Sequence, residues 1–168
     1  MARKTRDGTV ATWGAIPLPV SELLHPAAVV AMITLGVNDH LLKGSGLLPG
    51  WLTGKLSDLS GMIFFPLLLT ALTDTALFAA SLVLAAFGRD AGLDFRLRKW
   101  KLAVACALTG AVFAAIKVSH AAAGACVDAL GALGFPSHAW CDPTDLTALA
   151  LLPVSFLIGA SRIERQIP

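Results

Sequence analysis

Residues 59–87 decide the fold. They read LSGMIFFPLLLTALTDTALFAASLVLAAF, and Asp74 is the one charged residue among them. A helix rises about 1.5 Å per residue, so about 20 apolar residues cross a hydrocarbon core about 30 Å thick. Because the stretch exceeds that length, it predicts one long membrane-spanning helix, tilted or kinked at Pro66. Two short segments hinged near Asp74 are the alternative.

Three further stretches with few charges accompany this one. They lie near residues 23–42, 102–122 and 144–160, and each is close to the length of one crossing. The sequence therefore predicts an all-α protein, a multi-pass transmembrane bundle with four spans. No repeat or low-complexity linker divides residues 1–168, so we expect a single integral membrane domain.

The composition excludes the other broad classes. Of 168 residues, 56% are hydrophobic and 14% charged, whereas an ordinary soluble domain has about 25% charged residues. A soluble globule of this composition would lack the polar residues to cover its surface. The high apolar content with a net charge of +2 excludes disorder, and three cysteines exclude a disulfide scaffold.

Charge placement predicts the orientation. Basic residues cluster in the N-terminal tail, in residues 89–101 and in the C-terminal tail, whereas the other connections hold Lys43 and Lys55. Lys and Arg gather in short cytoplasmic loops, and four spans place all three clusters on one side. We therefore expect cytoplasmic termini and the inner membrane of a bacterium. Tryptophan should mark both interfaces, with the inner face at Trp13 and Trp100 and the outer face at Trp51 and Trp140.

The expected partners follow from this placement. The basic run at residues 95–101 lies directly beside a span, so we expect it to contact anionic lipid of the bilayer rather than nucleic acid. A homo-oligomer is possible. No metal-binding, nucleotide-binding or catalytic motif is present, so we expect no metal ion and no cofactor.

Span three carries small residues at helical spacing. Cys106, Gly110 and Ala114 recur every four residues, and a second row holds Ala103, Ala107, Ala111 and Ala115. Small residues let helices approach closely in lipid, which predicts that this is the central helix. Alanine-rich composition alone is the alternative.

The outer ends of all four spans carry polar side chains, which is the most informative feature of the sequence. They are Asp39, His40, Lys43, Lys55, Asp58, Lys117, His120, Asp142 and Asp145. We predict that they converge on an outward-facing pocket. The candidates for acid–base catalysis are Asp39, His40, His120 and Asp145. The candidates for holding an anion are Lys43, Lys55 and Lys117.

Lys117 is the expected centre of this pocket, because it is the basic residue within the apolar part of a span. Its ammonium group needs a partner, and Asp39, Asp58 and Asp145 are the carboxylates predicted at a similar depth. The alternative is that the side chain extends alone to the membrane surface. His120 follows on the same side of the predicted helix.

Ordinary helix capping is an alternative for several of these residues. The sequence Asp142-Pro143-Thr144-Asp145 is typical of a helix start, and Asp58 suits a first helical turn. Asp58 and Asp142 are also candidates for ion pairs. Asp39 would oppose a helix dipole, so a local pair with Lys43 is expected.

Asp74 is the intramembrane carboxylate, at a depth where a charge is costly. We expect it to be protonated, hydrogen-bonded to Thr73 or Thr75, or at a helix break. A proton-carrying role is the functional alternative.

Two cysteines, Cys126 and Cys141, fall on the predicted outer side, 15 residues apart. An oxidising exterior would permit a disulfide between them, and two free thiols are the alternative.

Three functions remain open. The first is a binding, structural or accessory membrane protein with a polar pocket at the outer helix ends. The second is a membrane-surface enzyme that acts on a lipid headgroup or a polyprenyl-type carrier. The third is an oligomeric transporter or ion-translocating unit. We favour the first, because the chain has no recognisable catalytic motif, and so lean against enzymatic activity.

Overall fold

The computed structural model describes residues 19–89, 92–94, 96–134, 139 and 141–164. These residues form helices, turns and connections, with no strand among them. In chain order the helices are the 3₁₀ turn Ser21–Leu24, α1 (Pro26–Val37), the π-helical turn Asn38–Leu42, α2 (Gly50–Ala86), α3 (Lys99–Val118), α4 (His120–Ala132), the 3₁₀ helix Pro143–Leu151 and α5 (Leu152–Glu164). The predictions for the N-terminal basic tail, Trp13 and Trp140 lie outside the described residues.

Three helical segments are long and apolar enough to cross a membrane: Gly50–Ala86, Lys99–Val118 and Pro143–Glu164. A shorter apolar helix covers Pro26–Leu42. Large apolar side chains point outward from the long segments, among them Leu72, Val112 and Leu157. Such exposure is unfavourable in water and favourable in lipid. The predicted all-α architecture is therefore confirmed, and three of its helical segments could cross a membrane.

Helix α2 is one continuous helix of 37 residues with Pro66 inside it, as the sequence predicted. Two short segments hinged near Asp74 are therefore excluded. The helix begins at Gly50, earlier than the predicted start of the span near residue 59. The extra turns contain Lys55 and Asp58, two charged residues that lie outside the predicted span.

The long helices alternate in direction. Lys117 and Asp58 pair where α3 ends and α2 begins, and Lys101 and Asp74 pair toward the opposite ends of these helices. In both helices the two charged residues are 16 positions apart, which is about 24 Å at the helical rise. The two pairs therefore hold α2 and α3 antiparallel in a fixed register.

The first and last helices, α1 and α5 with its preceding 3₁₀ helix, also run between the level of the Lys117–Asp58 pair and the level of the Lys101–Asp74 pair. Glu22, just before α1, accepts a hydrogen bond from Thr70 of α2, and Asn38 at its far end donates to the carbonyl oxygen of Thr53. Asp145 lies beside Lys117, whereas Arg162 of α5 donates to the carbonyl oxygen of Leu24. The bundle thus has a polar layer at each end.

An apolar core separates the two polar layers. One cluster contains Ala28, Leu67, Leu102 and Ile158. A second contains Met62, Phe113 and Ala148. Each cluster draws on at least three chain segments, so burial of these side chains ties the helices together between the layers.

The central helix is α2, which contacts α1, α3, α5 and both 3₁₀ segments. The prediction that span three is central is therefore wrong. Only one of its two rows of small residues faces the bundle. Gly110 packs against Leu152, whereas Ala103 and Ala107 are exposed. The alanine row on the outside reflects composition, not packing.

Span three also ends earlier than predicted. Helix α3 ends at Val118, and Ser119 adopts an extended backbone with φ −132° and ψ 116°. The Ser119 side chain accepts a hydrogen bond from the amide of Ala122 at 3.3 Å and so caps a new helix, α4. The predicted span of residues 102–122 is thus divided, and His120 begins α4 instead of continuing the face of Lys117.

Candidate functional site: a polar pocket at one end of the bundle

A cavity of about 580 Å³ opens among the ends of α2, α3 and the 3₁₀ helix Pro143–Leu151. We call it the polar pocket. Among the residues that the structure describes, six charged ones line it: Lys43, Lys55, Asp58, Lys117, Asp142 and Asp145. Trp51 and Phe113 supply aromatic surface. These six side chains, which the sequence placed at four separate helix ends, therefore meet around one cavity.

Lys117 forms the centre of the polar pocket. Its Nζ lies 2.8 Å from Asp58 Oδ2 and 2.7 Å from Asp145 Oδ2, and its side chain is 12% exposed. Phe113, one helical turn earlier, places its ring centroid 5.3 Å from the same Nζ, at cation–π distance. The predicted pairing of Lys117 with carboxylates on the bundle interior is confirmed, and extension of the side chain alone into lipid is excluded.

Lys55 links the pocket centre to the rim. Its Nζ donates to Asp145 Oδ1 at 3.1 Å and to Thr144 Oγ1 at 3.2 Å. Asp145 therefore accepts from Lys55 with one oxygen and from Lys117 with the other. Lys55 is 38% exposed, so one face of its ammonium group remains open to a ligand.

The π-helical turn Asn38–Leu42 builds the next part of the wall. Asn38 is fully buried, and its Nδ2 donates to the carbonyl oxygen of Thr53 at 2.7 Å and to Ser57 Oγ at 2.6 Å. Ser57 in turn donates to Asp39, which lies 3.9 Å from Lys43 Nζ. The widened turn thus fixes the end of α1 against α2 and presents Lys43 at the rim.

The charges of the pocket balance. The six charged lining residues are three lysines and three aspartates. Asp142 accepts a hydrogen bond from the amide of Thr144 at 2.9 Å and so caps the 3₁₀ helix, as the capping alternative predicted. Asp58 and Asp145 are held by lysines. An ion of either sign would therefore meet both attraction and repulsion in this pocket.

The predicted catalytic residues are not assembled. His40 and His120 do not line the pocket, because His40 is exposed on the π-helical turn and His120 begins α4. Asp39 contacts the pocket only through Ser57 and Lys43. Across the residues that the structure describes, no group of three or more His, Cys, Asp or Glu side chains could hold a metal ion.

The cysteines Cys126 and Cys141 are free, so the disulfide considered from the sequence is not formed. Cys126 lies within α4. The thiol of Cys141 instead donates to the carbonyl oxygen of Ile116 at 3.4 Å. The free-thiol alternative therefore describes this end of the bundle.

A second polar cluster, at the other end of the bundle, was largely missed by sequence reasoning. Lys101 was expected to contact lipid with the basic run, but it is buried and pairs with Asp74. Asp74 therefore bonds neither Thr73 nor Thr75 in the described structure, and α2 does not break there. One sequence feature could have predicted this pair. Lys101 and Lys117 are 16 positions apart, as are Asp58 and Asp74, so two antiparallel helices can form both ion pairs together.

Comparison of the chain with protein-family models, with curated proteins and with solved structures finds no match in any of the three. The geometry of the polar pocket therefore carries the functional argument.

Proposed function

We propose that this chain is a four-span integral membrane binding protein whose polar pocket receives a zwitterionic lipid headgroup from the outer leaflet. The observation that carries the proposal is the balance of three lysines and three aspartates around a cavity of about 580 Å³. Cavities of about 300–1,000 Å³ accept small ligands. A headgroup with one phosphate and one ammonium group matches such a lining better than a simple anion does.

The rim favours a lipid as the source of that headgroup. Lys43 and Lys55 are partly exposed and can approach a phosphate, whereas Asp142 keeps one oxygen for an ammonium group. Trp51 lines the cavity and is 67% exposed, as an aromatic side chain at a membrane interface would be. An acyl chain could continue along the apolar outer surface of α2.

Binding is favoured over catalysis because the two histidines lie outside the cavity. Lys117 is held by two carboxylates, which suits a structural residue at the base of the cavity better than a reacting group. The alternative of a membrane-surface enzyme on a lipid headgroup or polyprenyl-type carrier keeps one of its four acid–base candidates in the cavity, Asp145, and two lysines hold that carboxylate. An oligomeric transporter remains a hypothesis without a specific observation in its favour.

Native mass spectrometry of the purified protein tests the binding proposal. We expect retention of phosphatidylethanolamine over phosphatidylglycerol, and a several-fold loss of retention in Lys55→Gln. Lys99→Gln is the matched control, because Lys99 is 61% exposed at the opposite end of the bundle. Equal retention of both lipids, or equal retention by wild type and Lys55→Gln, would overturn the proposal.

The proposed topology has four crossings and both termini in the cytoplasm. The segment Pro26–Leu42 supplies the fourth crossing, since it reaches from the level of Glu22 to that of Asn38, as α2 and α3 do. Reporter fusions test this. A fusion at Gly50 should report the outside and one at Arg96 the cytoplasm, and the opposite result at either position would contradict the topology.

A further inference from the structure

The polar cluster at the end of the bundle opposite the pocket contains two carboxylates with no access to solvent. Glu22 precedes α1 and Asp74 lies on α2, and both are 0% exposed. Thr70 connects them, because its hydroxyl donates to Glu22 Oε1 at 3.0 Å and it lies one helical turn before Asp74. Glu22 therefore lies against the face of α2 that carries Asp74.

The cation beside them is already saturated. An ammonium group has three donors. Lys101 Nζ donates to Asp74 Oδ1, to the carbonyl oxygen of Asp94 at 2.6 Å and to that of Arg96 at 3.2 Å. No donor of Lys101 is left for Glu22. Within the part of the chain that the structure describes, Glu22 Oε2 and Asp74 Oδ2 are buried without a hydrogen-bond partner.

Among the described residues, the other charged groups around the cluster do not hydrogen-bond to Glu22 Oε2 or Asp74 Oδ2. The Arg162 guanidinium donates from Nη2 to the carbonyl oxygen of Leu24, and its Nε has no partner among the described residues. His25 Nδ1 accepts from the amide of Ala27, and the Asp94 carboxylate is held by Arg98. Two buried carboxylates thus face one ammonium group, and an unpaired buried charge is costly.

We propose that Glu22 and Asp74 together bind one exchangeable proton. The proton converts one carboxylate to a carboxylic acid, which restores charge balance with Lys101 and adds the O–H donor that the cluster lacks. Glu22 is the residue that carries it, because the ammonium group of Lys101 contacts Asp74 and not Glu22. The site is distinct from the polar pocket and does not depend on the proposed lipid ligand.

The environment of Glu22 agrees with this assignment. Burial raises the pKa of Glu22 above its ordinary value, and the negative charge of Asp74 adds to the increase. Hydrogen bonds from the backbone and from the side chains of Thr70 and Ser21 oppose these effects without cancelling them.

Infrared spectroscopy of the intact protein in lipid nanodiscs tests the proposal. Wild type at pH 7 should show the carbonyl stretch of a protonated carboxylic acid, shifted by deuterium exchange. The band should disappear in Glu22→Gln and persist in the matched control Glu164→Gln, which changes an exposed carboxylate in the same way. Absence of the band in wild type, or its persistence in Glu22→Gln, would overturn the proposal.

Asp74→Asn distinguishes a shared proton from a solitary acid at Glu22. Removal of the Asp74 charge leaves Lys101 as the cation of the cluster, so Glu22 should ionise and the band should vanish although Glu22 is still present. Persistence of the band in Asp74→Asn would show that Asp74 has no part in the site and would overturn the shared arrangement. The wild-type spectrum keeps the test decisive if either variant fails to fold.

Discussion

Lys117 shows why a lysine can be kept within the apolar part of a bundle. Its ammonium group contacts carboxylates from two other chain segments, so one cation joins α2, α3 and the 3₁₀ helix Pro143–Leu151. Removal of one member of a buried ion pair is strongly destabilising, because the partner charge remains buried and uncompensated. Lys117 therefore contributes to stability by connecting three chain segments.

Lys117→Met should accordingly destabilise the protein by about 3 kcal/mol, since Asp58 and Asp145 lose their shared cation. Thermal unfolding in detergent measures the effect. Lys99→Met removes an exposed lysine and should change stability by less than about 0.5 kcal/mol. A similar small effect for Lys117→Met would show that the network contributes little to folding.

The pH dependence of stability can be assigned in part to Glu22. Its pKa in the folded protein lies above the ordinary value of 4.5, so the native state binds its proton more tightly than the unfolded chain does. Its contribution to stability is therefore complete below that value and is lost as the pH rises through the folded pKa. Unfolding midpoints measured from pH 4 upward should show this decline in wild type and not in Glu22→Gln. An identical pH profile in the two proteins would contradict the assignment.

At the scale of the helices, two ion pairs with equal spacing fix the register of α2 and α3. The two aspartates on α2 and the two lysines on α3 are both 16 positions apart. A slip of one helix by one turn would therefore break both ion pairs at once. Apolar packing alone permits such slips, since lipid competes with neighbouring helices for the same side chains. The ion pairs therefore act as specificity contacts.

A double-mutant cycle on Asp74 and Lys101 tests this role. Lys101→Met should cost about 3 kcal/mol, because it leaves the buried carboxylates without their ammonium group. Asp74→Leu should cost less, because Glu22 can then ionise and balance Lys101. The double variant should cost at least about 1 kcal/mol less than the sum of the two. Additive costs, measured by unfolding in detergent, would show that the two side chains do not interact.

Close packing of α3 on α5 depends on a glycine. A Cβ added at Gly159 would lie 2.5 Å from Leu102 Cδ2, and because Leu102 is fully buried, a shift of its side chain would disturb the packing around it. Gly159→Ala should therefore cost about 1–3 kcal/mol. Gly36→Ala in α1 is the matched control, since nothing lies within 4 Å of its added Cβ, and helix propensity should make it neutral or stabilising. Equal effects of the two changes would argue against close contact at Gly159.

The sequence predicted the long helices and most of the polar pocket, because apolar length and charge interruptions are local features. It did not predict α4, since one extended residue at Ser119 ends α3 within an otherwise helical, alanine-rich stretch. It also misplaced Lys101. A basic residue beside a span is usually explained by its role in orienting the protein in the membrane. The burial of this lysine depends on its tertiary contact with Asp74, which the sequence does not show.

Across the whole molecule, two polar layers enclose an apolar core. The polar pocket and the Glu22–Asp74 site lie at two levels of α2, since Asp58 and Asp74 are 16 positions, about 24 Å, apart along the helix. Sites separated by more than about 10 Å without shared partners usually behave independently. The core clusters between the layers contain no charged side chain among their buried members.

Independence of the two ends is therefore the prediction for the whole molecule. Glu22→Gln should leave phosphatidylethanolamine retention within about twofold of wild type, and Lys55→Gln should leave the infrared carbonyl band unchanged. Their effects on unfolding free energy should add within about 0.5 kcal/mol in the double variant. Native mass spectrometry and infrared spectroscopy of the same three variants measure both sites in parallel. Loss of lipid retention in Glu22→Gln would instead show that protonation at one end controls the pocket at the other, through α2 as the connecting helix.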